Sequence, residues 1–158
     1  MAVKLVSLMD APFADLVKVT RNMRPADAEE IHSHRWDNCP VNLAKEVVGA
    51  WGGVSWMIYN GEEPVVVIGV TEVWPTVWSA WMFATDSFPR VGVFTTRFAK
   101  KRIIPMMRAA GARRCDAVSS ERNTVAHHWL ESLGASMESK IKSYGKNGEN
   151  FVVYRLFN

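Results

Sequence analysis

Hydrophobic positions along this chain change their period several times, and each change marks an element. Leu16, Val17 and Val19 lie close together, so residues 15–23 read as a short strand. Arg24-Pro25 then opens a helix over residues 25–35, because proline suits the first helical turn and Asp27, Glu29 and Glu30 place acids near its positive end. A second helix, residues 40–48, carries Leu43, Val47 and Val48 and ends toward Gly52-Gly53.

A β-rich block follows. Residues 54–59 and 64–71 are dense in β-branched and aromatic side chains, and Asn60-Gly61 between them is a strong short hairpin signal. Residues 72–75 turn the chain again into a third strand over 76–85. Residues 95–110 are helical by period, with Phe98, Ile103, Ile104 and Met107 apolar; Pro105 inside them predicts a kink or an early break, and Gly111 closes the segment. Residues 114–119 form another strand. The next helix is capped by Asn123, carries apolar residues at Val125, Ala126, Trp129, Leu130 and Leu133, and stops at Gly134. Residues 136–144 and 150–157 make a last pair of strands around the turn residues Gly145 to Gly148.

At 158 residues the expectation is a single domain, residues 1–158, with one core. An apolar content of 48% fits a globular chain, and no run approaches the ~20 apolar residues of a membrane span. The N-terminus has no apolar core followed by a small-residue cleavage site, and Cys39 and Cys115 show no CxxC spacing; reduced thiols and synthesis in a cytoplasm are expected. A net charge of +3 is too small to argue for nucleic acid. Its distribution is uneven, because Arg97, Lys100, Lys101, Arg102, Arg108, Arg113 and Arg114 share one short region. That region is either a solvated helix face or a surface for phosphate groups. Trp51, Trp56, Trp74, Trp78 and Trp81 are expected in core or interface.

Few residues offer chemistry by spacing alone. His32 and His34 are two apart on a helix and point to different faces, so no metal site is expected with Cys39. No Ser-His-Asp arrangement is visible, which leaves a serine hydrolase unsupported.

The run Asn123-x-x-Ala126-x-x-Trp129-x-x-x-Leu133-Gly134 resembles the fourth helix of the GNAT family of acyl-CoA-dependent N-acyltransferases. The order of elements over nearly the whole chain resembles that family too. The resemblance implies a mixed α/β (α+β) fold: a mostly antiparallel sheet of six or seven strands with about four helices. In it, the strand before the third helix and the strand at 114–119 run parallel and splay apart. It also implies acetyl-CoA as cofactor, with Asn123 and Ala126 beside the pantetheine arm. The family's diphosphate loop, Arg/Gln-x-x-Gly-x-Gly/Ala, matches Arg90 and Gly92, one residue short in spacing and with Phe94 or Thr95 in place of the second small residue. Thr95 or Thr96 is then expected to cap the helix and to meet a phosphate oxygen.

The usual catalytic acid of the family is a tyrosine at the position held here by Leu130, so the resemblance implies either a displaced acid, His127 or His128, or release of the thiolate to water. Glu72 and Asp86 are the candidate general bases, and Ser119 and Ser120 lie where the family places groups near the thioester. The block from Arg114 to Phe157 also resembles small GNAT-like proteins of short-tailed bacteriophages (podoviruses) described as internal virion proteins. That likeness implies an infected host's cytoplasm, or the virion, as location. Two functions follow as expectations. One is an N-acyltransferase acting on a small amine, a peptide terminus or a host lysine; the other is a degenerate relative that captures a virion or host protein.

Overall fold

The computed structural model describes residues 2–49 and 53–157. Among them, seven strands form one sheet in the order β1-β2-β3-β4-β5-β7-β6. They are β1 (Val3–Ser7), β2 (Val54–Asn60), β3 (Glu63–Trp74), β4 (Val77–Ala84), β5 (Arg114–Ser120), β6 (Ser136–Ile141) and β7 (Phe151–Leu156). Neighbours are antiparallel throughout, except that β4 and β5 run parallel. The helices are α1 (Phe13–Arg21), α2 (Pro25–Ser33), α3 (Pro40–Gly49), α4 (Gly92–Phe98), α5 (Ile104–Ala109) and α6 (Thr124–Ser132). This is the mixed, mostly antiparallel sheet that the sequence suggests.

Period-2 alternation divides the core between the two faces of the sheet. Met57, Tyr59, Val67 and Phe83 pack with Leu16, Val19, Leu43 and Val47 of α1 and α3. Ile58, Val66, Ile68 and Val70 pack with Phe98, Ile103, Ile104 and Met107 on the other face. Trp56 and Trp78 join this second cluster, whereas Trp74 is 61% exposed and Trp51, like Gly52, lies outside the described residues. Both tight hairpins fit their turn residues: Asn60 pairs with Glu63 across Gly61 (φ 62°), and Trp74 pairs with Val77 across Thr76 (φ 73°).

Three expectations need correction. Residues 15–23 are not a strand. Helix α1 occupies them, because Leu16, Val19 and Thr20 fall at i, i+3 and i+4 and are all buried, with Asp15 in the first turn and Lys18 and Arg21 in the last. The first strand is instead β1, which forms the sheet edge against β2. The final hairpin is not tight either: β6 stops at Ile141, and the loop beyond it is pinned to the end of α2. There the Lys146 N–H donates to the Ser33 carbonyl at 2.6 Å and Lys146 Nζ donates to Asn38 Oδ1 at 2.7 Å.

Pro105 neither breaks nor ends its helix. Between α4 and α5 a π-turn over Ala99–Ile103 keeps one helical body running, with the Ile104 N–H bonded to the Ala99 carbonyl five residues back. The wider turn accommodates a proline that has no N–H to give. Gly111, at φ 85°, follows α5 as its sequence position suggests.

Gly69 in β3 marks a close approach. A Cβ there would stand 2.3 Å from the Trp81 ring, so the indole lies directly against the strand. Gly69→Ala should therefore overpack this layer and lower stability by about 1–3 kcal/mol. Urea unfolding measures it, and an unchanged midpoint would show that the indole moves aside freely.

Candidate functional site

The parallel pair β4–β5 is brief. Val77 faces Arg114, Trp78 faces Cys115 and Ser79 faces Asp116, after which the register ends although both strands continue. Residues 80–84 keep β3 as their only strand partner, and residues 117–120 keep β7. The strands part there, as expected, and the gap between them is a cavity of about 140 Å³. Helix α2 covers it from one face of the sheet, through Asp27, Glu30 and His34. Ile103, Met107 and Leu133, from the α4–α5 body and the end of α6, cover it from the other.

Two carboxylates of α2 span the open end. Asp27 Oδ2 accepts from the Ala84 N–H at 3.0 Å, where β4 ends, and from Arg24 Nε and Nη2 at 2.9 and 2.8 Å. Glu30 Oε1 accepts from Ser119 Oγ and the Ser120 N–H, both at 2.6 Å, where β5 ends. Burial pushes the Glu30 carboxyl above its ordinary range, the more so beside Asp27, while the bonds from Ser119, Ser120 and Asn123 partly offset that shift. His34 sits one turn further along the same helix face. Its Nδ1 lies 2.8 Å from the Glu30 carbonyl, and its ring meets Phe151 edge-on at 5.3 Å. His34 is exposed in part, but desolvation of its packed side lowers its pKa below the ordinary histidine value, which favours the neutral ring at pH 7.

A second, open groove of about 590 Å³ lies at the start of α4. Gly92, Thr96, Arg97, Lys100 and Lys101 line it, and none of its three cations pairs with a carboxylate among the described residues. The amides of Gly92, Val93 and Phe94 precede the first helical bond here, from the Thr95 N–H to the Val91 carbonyl. Positive side chains beside free amides suit a phosphate group. Gly92 also has a packing reason, since a Cβ there would press on the Phe88 ring at 3.3 Å.

The other expected residues are spread more widely. Ala126 lines the cavity. Asn123 does not: it is 4% exposed, caps α6 by accepting from the Ala126 N–H, and turns its Nδ2 toward Glu30 at 3.3 Å and Asp27 at 3.5 Å. Thr95 and Thr96 do not cap α4, whose N-cap is Val91. Thr95 is fully buried and donates to the Val91 carbonyl, which corrects its expected contact with phosphate. Thr96 donates to the Gly92 carbonyl and accepts from Trp129 Nε1. Phe94 stacks on Phe98 in the core, and Arg90 is exposed at the end of a short 3₁₀ turn.

None of the four expected acid–base residues lines the cavity. Glu72 is exposed on β3 opposite Trp78, level with the closed end of the β4–β5 pair, and Asp86 is exposed in the turn after β4. His127 places Nε2 2.9 Å from the Ser120 carbonyl and packs on Tyr154, while His128 is exposed. Leu130 does face the cavity. Tyr154 lends only its ring, because its hydroxyl donates to Glu131 at 3.0 Å.

The carboxylates were legible in principle. Asp27, Ile31 and His34, with Glu30, fall on one face of α2, and polar residues on a face that packs inward point to a site.

Comparison with solved structures places the fold. A protein from Desulfovibrio desulfuricans assigned to the GNAT family superposes with a TM-score of 0.68 at 16% identity, over 99% of both chains. The ribosomal-protein-S18-alanine N-acetyltransferase from Escherichia coli gives 0.69 at 14% identity, over 98% of this chain and 93% of that one. A Salmonella typhimurium protein bound to acetyl-CoA as its cofactor gives 0.67 at 13% identity, over 99% and 94%. No family model matches the sequence, and no curated protein matches it. At these identities the likeness is one of fold: this chain has the GNAT fold.

Because the folded state holds the Glu30 proton more tightly than the unfolded chain does, Glu30 adds stability below its ordinary value of 4.5. That contribution is lost as pH rises through the raised folded value. Glu30→Gln should remove this part of the pH dependence, read from urea midpoints between about pH 4 and 8. An unchanged slope would assign the effect to other groups.

Proposed function

We propose that the chain is an acyl-CoA-dependent N-acyltransferase. The observation that carries this reading is the cavity where β4 and β5 part, with a carboxylate at its α2 side, together with a separate basic groove at the start of α4. Glu30, half-buried, stands at the α2 mouth, and the groove carries free helix amides and three cations that no carboxylate among the described residues pairs with.

The residues present fit an acyl-CoA. Arg97, Lys100, Lys101 and the amides of Gly92 and Val93 would hold its phosphates, and the free edge of β4 would take the amide-bearing arm. When bound, the thioester supplies the activated acyl group. Glu30 then acts as general base: Oε1 is held by Ser119 and Ser120, which leaves Oε2 to receive the proton of an incoming amine. Its raised affinity for protons suits that role. The neutral His34 beside it can pass the proton outward. With Leu130 where the family carries tyrosine, the thiolate leaves without a side-chain acid, and turnover should be slow.

Leu130 also favours a second reading, in which the same fold captures a protein partner and no longer transfers an acyl group. The resemblance of residues 114–157 to podovirus proteins extends both readings to a phage protein that acts in the host cytoplasm and is packaged in the virion. That extension rests on sequence resemblance, and peptide mass spectrometry of purified virions would test it.

Thiol release from acetyl-CoA with a panel of amines separates the two readings. Glu30→Gln should lower turnover by about 10²–10⁴-fold, and Leu130→Tyr should raise it. No thiol release from any variant, together with tight partner capture that needs no CoA, would favour the binding protein. Replacing Arg97 and Lys101 together by alanine should weaken CoA binding about tenfold in calorimetry and flatten its salt dependence. Unchanged affinity would place the phosphates elsewhere.

A further inference from the structure

The cavity between β4 and β5 extends beyond what an acetyl group would fill. Past the mouth closed by Glu30 its wall is Ile68, Val70, Ile103, Met107 and Cys115, down to the level where Trp78 pairs with Cys115. Every side chain on this stretch is aliphatic or ends in sulfur. Cys115 is 1% exposed, and burial raises its thiol to about 12, so it stays protonated and behaves as a small apolar group. The π-turn that accommodates Pro105 swells the helix at this same level and sets Ala99, Ile103 and Ile104 around the pit.

Size and polarity together define what fits. A dry apolar cavity of about 150 Å³ accepts a six-carbon ring in another protein, and the whole space here, from the Glu30 mouth down to Cys115, measures about 140 Å³. An empty void of that size is destabilising in itself, and the aliphatic and sulfur-bearing side chains named above would hold no ordered water. The pantetheine amides need hydrogen-bond partners, which the free edge of β4 supplies and the pit does not. Hydrocarbon is what remains for it.

Resting on the acyltransferase reading, we propose that the preferred donor carries a hydrocarbon acyl group of about four to six carbons, rather than acetyl, with its tail in the pit between the π-turn and Cys115. The transfer balances as for any thioester. The amine nitrogen forms the new C–N bond, the C–S bond breaks, sulfur leaves as thiolate, and the amine proton goes to Glu30.

The test is calorimetric titration of the full chain with CoA, acetyl-CoA, butyryl-CoA, hexanoyl-CoA and decanoyl-CoA. Each methylene from acetyl to hexanoyl should tighten binding by up to about fourfold, giving about a hundredfold in all, with no further gain at decanoyl. In Ala99→Leu, and independently in Cys115→Phe, the acetyl-to-hexanoyl ratio should fall toward one. The wild-type series stands even if a variant fails to fold. Equal binding of acetyl- and hexanoyl-CoA, or a hundredfold gain retained in both folded variants, would overturn the proposal while leaving the acyltransferase reading intact. If neither CoA nor any acyl-CoA binds, the acyltransferase reading itself fails and the proposal falls with it.

Discussion

The candidate site depends on three residue pairs. Parallel strands β4 and β5 are joined only from Val77–Arg114 to Ser79–Asp116, and the cavity opens where that pairing stops. Continued pairing would have closed the sheet and left an ordinary core. Instead each strand end finds a substitute partner on α2: the Ala84 N–H binds Asp27, and the Ser120 N–H binds Glu30. Buried amides must be satisfied, and two carboxylates one helical turn apart do this while holding the strands apart. The same bonds that settle the strand ends therefore create the cavity and place a carboxylate at its mouth.

Charge is sorted between the cavity and the groove. Desolvation at the α2 mouth raises Glu30's affinity for a proton, which would serve the proposed removal of one from an amine. Cations gather at the groove by α4, where nothing among the described residues neutralises them. The wall of the cavity is mostly apolar, so an electrostatic interaction inside it is stronger than in water. A thioester held there would meet an amine from one side and carry its phosphates on the other.

Much of this was legible in the sequence. Asn60-Gly61, the Asn123 cap and Gly134 each fix a local geometry with little help from the rest of the chain, and each occurs as read. Residues 15–23 were misread because Leu16, Val17 and Val19 satisfy more than one period over so short a run, and packing against α3 decides between them. Pro105 misled because proline's cost depends on whether a wider turn is available. The acid–base residues were sought on strands and on α6, by resemblance. Asp27 and Glu30 looked like ordinary acids at the positive end of a helix, and only the long-range bonds to residues 84, 119 and 120 reveal their other role.

Hydrogen exchange with and without saturating CoA reads the backbone amides of both the cavity and the groove. Acyl-CoA binding between the parted strands should add protection in residues 80–84, at the start of α4 from residue 92 to 96, and along the cavity-facing turns of α6, with β1 and β6 unchanged. Protection confined to the loop at residues 142–150, or none at any CoA concentration, would contradict the claim that the parted strands are a site for acyl-CoA.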